Sequence, residues 1–154
     1  MKLFLAVACF CFLSFTSTAQ SSFPSIQSFF YLTDKITSPD DLRVYLKRHN
    51  YRLLNSDKTD STIVLTFTKG RGSSMRHFNI EYKGIGISSL TYTTPIKTEF
   101  LELQLEAVEG FGFKLFEKGG GADGKERKYA FNRYFIGAIE SMDDGKNTLI
   151  FFTR

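Results

Sequence analysis

Apolar residues recur along this chain with two spacings, and the switches between them mark out its elements. Ile26, Phe29, Phe30 and Thr33 fall at helical intervals and predict a short helix, with a strand over residues 29–32 as the competing reading. Ser38-Pro39-Asp40-Asp41 reads as a helix start, because it combines a capping hydroxyl, a proline at the first helical position and negative charge in the first turn. Leu42, Tyr45, Leu46 and His49 then form one stripe, and Asn50 suits a left-handed exit, so this helix is expected over residues 39–49. Tyr51-Arg52-Leu53-Leu54 opens into strands. Ile63, Leu65 and Phe67 alternate with polar residues, as do Phe78, Ile80 and Tyr82. In a third run, over residues 85–93, the apolar parity changes between Ile87 and Leu90, which predicts a bulge near Ser88-Ser89.

The same order then recurs. Pro95 marks the entry to a helix whose Phe100, Leu101, Leu105 and Val108 are expected to form the buried face, with Glu102, Glu106 and Glu109 outside it. It closes on Gly110-Phe111-Gly112 and opens into Phe113-Lys114-Leu115-Phe116. A Gly-rich loop, strands over 126–131 and 134–142, a turn at Asp143-Asp144-Gly145-Lys146-Asn147 and a strand over 149–153 follow. The expected fold is a single α+β domain built as two pseudo-repeats, approximately residues 38–94 and 95–154. Each repeat is one helix followed by an antiparallel β-meander, with the helices packed on one face of the sheet. The last strands depart from alternation: Tyr134, Phe135, Ile136, Ala138 and Ile139, then Leu149, Ile150, Phe151 and Phe152, are apolar on both faces. Phe29, Phe30 and Tyr31 of the N-terminal segment are the expected cover for the second face, and a partner protein or second copy is the other.

Gly112-Phe113-Lys114-Leu115, Lys128-Tyr129-Ala130-Phe131 and Thr148-Leu149-Ile150-Phe151 carry a resemblance. This layout resembles a group of uncharacterised small secreted α+β proteins of Gram-negative bacteria, in which a helix closes on Gly-aromatic-x-aliphatic and short antiparallel strands follow. The match covers most of the chain beyond residue 20. The first half departs from it, with Asn50-Tyr51-Arg52-Leu53 where the group usually has Gly. The resemblance implies a fold and no activity. By architecture alone, tandem helix-plus-sheet repeats also resemble beta-lactamase inhibitory proteins, a likeness that transfers no function.

Lys2, an uncharged apolar run over residues 3–15, and Ser17-Thr18-Ala19 before Gln20 match a cleavable export signal, expected over residues 1–19. The run is shorter than a membrane span, so residues 20–154 are expected to form one domain of about 135 residues with no transmembrane segment, periplasmic or secreted. A lipoprotein cut before Cys9 would leave too short an apolar region to engage export. Cys9 and Cys11 both leave with the signal, which removes disulfide and thiol chemistry. The charge of +4 is mild and, with export, speaks against a nucleic-acid partner.

Gly119-Gly120-Gly121-Ala122-Asp123-Gly124-Lys125 fills the first seven positions of a phosphate-binding loop. Glu126 stands where the magnesium-binding hydroxyl is needed, and residues 127–131 alternate as a strand, so a hairpin loop is the better reading. Lys69-Gly70-Arg71-Gly72-Ser73-Ser74, with Arg76 and His77, is a candidate basic anion nest or an ordinary loop. His49 is expected to favour the negative end of its helix, and Asp40-Asp41 and Asp143-Asp144 serve a helix start and a turn. No cofactor, metal ligand set or catalytic residue is expected. The expected function is a non-enzymatic binding or structural module of the envelope or secreted fraction, a monomer or weak dimer. It would meet an unknown protein or cell-surface polymer through Arg71, Arg76, His77, Tyr134 and Phe152. The alternative is a hydrolase on an envelope substrate, using His77 with Arg76 or a serine of the 69–74 loop.

Overall fold

The computed structural model describes residues 23–121, 124–142 and 144–153. The proposed export signal lies outside these residues. Among them, α1 (Ile26–Lys35), α2 (Pro39–Arg48) and α3 (Lys97–Leu105) are helical, and α3 continues into a π-helical turn at Glu106–Gly110. Eight strands complete the α+β fold: β1 (Arg52–Lys58), β2 (Thr62–Lys69), β3 (Arg76–Lys83), β4 (Gly86–Thr94), β5 (Lys114–Gly121), β6 (Gly124–Phe131), β7 (Tyr134–Ser141) and β8 (Asn147–Thr153). They form one antiparallel sheet in the order β1-β2-β3-β4-β8-β7-β6-β5. No helix among the described residues is long and apolar enough to cross a membrane.

Local chemistry sets the helix ends. Ser25 caps α1 and exchanges hydrogen bonds with Ser28, while Glu106, from the far π turn, accepts from the Ile26 N–H at 2.9 Å. Ser38 caps α2 through the Asp41 N–H, with Pro39 in the first turn. At its end Asn50 takes φ +65°, and the Tyr51 and Asn50 N–H groups return to the carbonyls of Leu46 and Lys47. The end of the π turn follows a related plan: Gly112 takes φ +74° and Phe113 turns inward, as Tyr51 does. In both places a left-handed residue delivers a buried aromatic ring and then a strand.

All three helices touch one face of the sheet. Phe78 of β3 meets Phe29 of α1, the Tyr82 hydroxyl donates to the Ser38 carbonyl at the start of α2, and Arg76 pairs with Glu99 of α3. Those three β3 residues alternate with His77, Asn79 and Glu81, which therefore face the opposite way. The parity change in β4 is a bulge at Ser88, since Glu81 pairs with Ser89 and Tyr82 with Ile87.

Three expectations are corrected. The buried face of α3 is Phe100, Leu103 and Ala107, whereas Leu101, Leu105 and Val108 are exposed. Apolar residues ring this helix, so periodicity could not orient it; the Arg76–Glu99 pair and a Tyr129–Gln104 hydrogen bond do. The Gly-rich segment is strand up to Gly121: Gly119, Gly120 and Gly121 pair with Glu126, Lys125 and Gly124. Glycine forms strands poorly in isolation, but here a partner strand supplies the ladder, and a Cβ at Gly124 would collide with the Glu140 carbonyl oxygen. Finally, Phe29 and Phe30 do not cover the second face of β7 and β8. They pack with Tyr134 and Phe151 on the helix side, while Phe135 and Phe152 stack on each other at 5.3 Å on the opposite side. Tyr31 is exposed and stacks on Tyr45.

Candidate functional site

The exit from α2 builds a concavity whose charged lining residues are all cations. Because Asn50 reverses the chain and Tyr51 is buried, Arg52 starts β1 beside the last turn of α2, which carries Lys47. Register places Arg52 opposite Thr68, so Lys69 and the β2–β3 turn close the other wall. Gly70 makes that turn possible: it takes φ +95°, and a Cβ there would lie 2.7 Å from the Ser74 carbonyl oxygen. The Ser74 hydroxyl donates to the Arg71 carbonyl at 2.9 Å and fixes the backbone from which Arg71 reaches out.

The resulting cleft has a volume of about 410 Å3 and is lined by Lys47, Arg52, Lys69 and Arg71, with Tyr51 and Asn50 between them. No acidic residue lines it, and none of the four cations makes an ion pair among the described residues. Lys69 Nζ stands 5.4 Å from the centre of the Tyr51 ring, an attraction that holds the ammonium over the floor. Burial pushes the Tyr51 phenol up to about 12, so it stays neutral and cannot offset the positive charge. Four like charges in one cleft repel one another, and an anion placed among them relieves that repulsion.

His49 caps the C-terminus of α2, stacked on Phe23 at 4.5 Å. Its pKa is lowered, first by burial and then by Lys69, so the helix end does not hold it charged as the sequence led one to expect. A histidine with a depressed folded pKa resists protonation only while folded. Stability should therefore fall as pH drops through the ordinary value of 6.5, and level off below the lowered folded value. Melting temperatures measured across this range should fall more steeply for the natural protein than for His49→Gln; parallel curves would refute the assignment.

The five residues expected to form a binding surface do not come together. Arg71 lies in the cleft. Arg76 is held by both oxygens of Glu99, with Nε at 2.8 and 3.1 Å, inside the helix-covered layer. His77 follows it on the opposite side of β3, so the two cannot share a site. No carboxylate or serine hydrogen-bonds to His77 among the described residues, and Ser74 is occupied by Arg71. Tyr134 is only 8% exposed, packs on Phe30 and Phe151, and donates to Asp34 of α1 at 2.7 Å. Phe152 is half-buried on the helix-free face. Sequence reading missed Lys47 and Arg52. The available signal was their position on either side of the Asn50 exit, which turns the chain back on itself. Among the described residues, no three His, Cys, Asp or Glu side chains gather as a metal site. No family model, curated protein or solved structure matches this chain.

Proposed function

We propose that this chain is an exported, non-enzymatic binding module that takes an anionic cell-surface polymer in its basic cleft. The observation that carries the reading is the convergence of Lys47, Arg52, Lys69 and Arg71 with no counter-charge among the described residues. The cations come from a helix end, two strands and a turn and so line the cleft from several sides, an arrangement that suits the repeated anionic groups of a polymer. Export is supported by the cleavage pattern over residues 1–19, and places the protein in the periplasm or secreted fraction as a monomer or weak dimer. The arrangement of His77 and Arg76 on opposite sides of β3 offers no support to a hydrolase.

The chain is further read as two repeats, approximately residues 38–94 and 95–154. Support comes from the mirrored strand order, in which the last strands, β4 and β8, meet at the centre, and from the similar exits at Asn50-Tyr51 and Gly112-Phe113. The likeness to small secreted proteins of Gram-negative bacteria belongs to the same reading.

Retention on immobilised heparin, a sulfated polymer, tests the function. The natural protein should be retained at low salt and released as salt screens the cleft. The double variant Lys47→Glu/Arg71→Glu should bind at least about tenfold more weakly. Lys83→Glu, at an exposed strand end outside the cleft, should bind as the natural protein does. No retention at low salt, or equal retention of the double variant, would sink the proposal.

A further inference from the structure

A second concavity, unrelated to the basic cleft, follows from the rotation of α3. Leu101, Leu105 and Val108 stand along the exposed side of that helix and its π turn, beside β6. The turn is widened at its end, where the Phe111 N–H reaches back five residues to the Glu106 carbonyl, and it carries Val108. Together these residues wall a groove of about 440 Å3 that is almost wholly apolar. Arg127 and Tyr129 of β6 complete it, and Glu102, the one acid on its wall, is exposed.

The polar groups at the β6 end of the groove centre on Gln104 and Arg127. Gln104, only 6% exposed, accepts from the Tyr129 hydroxyl at 3.1 Å and from Arg127 Nη1 at 3.4 Å, both through Oε1. Arginine can only donate, which fixes the amide oxygen on that side and turns the nitrogen away. That Nε2 is buried and has no hydrogen-bond partner. Arg127 forms no ion pair among the described residues; its one hydrogen bond there is the long contact to Gln104. An apolar trough thus ends in a guanidinium that forms no ion pair among the described residues. Guanidinium pairs with carboxylate in two-point geometry.

We infer that this groove binds a single-chain aliphatic carboxylate, with the chain along Leu101, Leu105 and Val108 and the carboxylate at Arg127. Its size lies within the usual range for small-ligand sites. An apolar chain alone would leave the Arg127 guanidinium without a carboxylate partner, and a cationic amphiphile would meet Arg127 with like charge.

Calorimetric titration of the natural protein with dodecanoate, dodecanol and dodecyltrimethylammonium tests this. Dodecanoate should bind at least about tenfold more tightly than the other two. Arg127→Met should bring dodecanoate down to the level of dodecanol while leaving dodecanol unchanged. Leu105→Glu, at a position 55% exposed and so expected to fold normally, should abolish binding of both. Equal affinity for all three amphiphiles, no binding of dodecanoate below its micelle concentration, or undiminished binding by Leu105→Glu would each overturn the inference. So would a dimer that Leu105→Glu dissociates and dodecanoate does not, since a second copy would then be the occupant.

Discussion

Phe151→Ala is expected to lower the unfolding free energy by about 3–5 kcal/mol, the range for emptying a fully buried aromatic site. Phe151 is 0% exposed and lies in β8, one of the two strands whose pairing joins the halves of the sheet. Its ring meets Phe29 and Phe30 of α1, Phe113 after the π turn and Tyr134 of β7, at centroid distances of 5.9, 5.3, 6.5 and 5.5 Å. Those four come from three separate parts of the chain, α1, the exit of the π turn and β7, so collapse into the void is restricted. Phe152→Ala is the internal comparison, because its neighbour is half-buried and on the helix-free side. Urea unfolding of both variants gives the measurement. A loss below about 1 kcal/mol for Phe151→Ala, or a larger loss for Phe152→Ala, would contradict the packing described.

Glu99→Ala should cost about 2–4 kcal/mol, for a different reason. Arg76 and Glu99 are each 22% exposed, so the pair sits mostly out of water, and Glu99 also accepts from the Thr94 hydroxyl at 2.7 Å. Thr94 in turn accepts from the Ile96 N–H at the start of α3, which has no other side-chain cap. Removing the carboxylate leaves a guanidinium and a buried hydroxyl without their acceptor, and most of the loss comes from that stranded charge rather than from the attraction itself. The double variant Arg76→Met/Glu99→Leu should therefore be more stable than Glu99→Ala alone. Thermal and urea unfolding decide it: if the double variant is the less stable, the pair contributes net attraction and the stranded-charge account is wrong.

Much of the fold is legible in the sequence because its signals are local. The start of α2 is written in Ser38, Pro39, Asp40 and Asp41, its end in Asn50, and the β4 bulge in a parity change within a few residues. These depend on backbone sterics and on hydrogen bonds between near neighbours, which a sequence displays directly. Of the candidate site, Arg71 was legible because a Gly-rich basic loop needs no distant partner to be recognised. Arg76 looked equally available, yet the residue that neutralises it lies 23 positions away. Tyr134 read as a surface aromatic because its partner Asp34 is 100 residues distant.

The amino-acid sequence by itself determined where α2 begins and ends, which residues alternate in β2 and β3, and that leftover apolar residues exist in β7 and β8. Tertiary structure alone decided which way α3 turns, that Gly119 to Gly121 complete a strand, and which cations stay unpaired. The division has one physical cause. Capping, turn geometry and pleat parity are settled by atoms a few residues apart, whereas helix rotation, strand pairing and charge neutralisation are set by groups that meet only once the sheet has assembled.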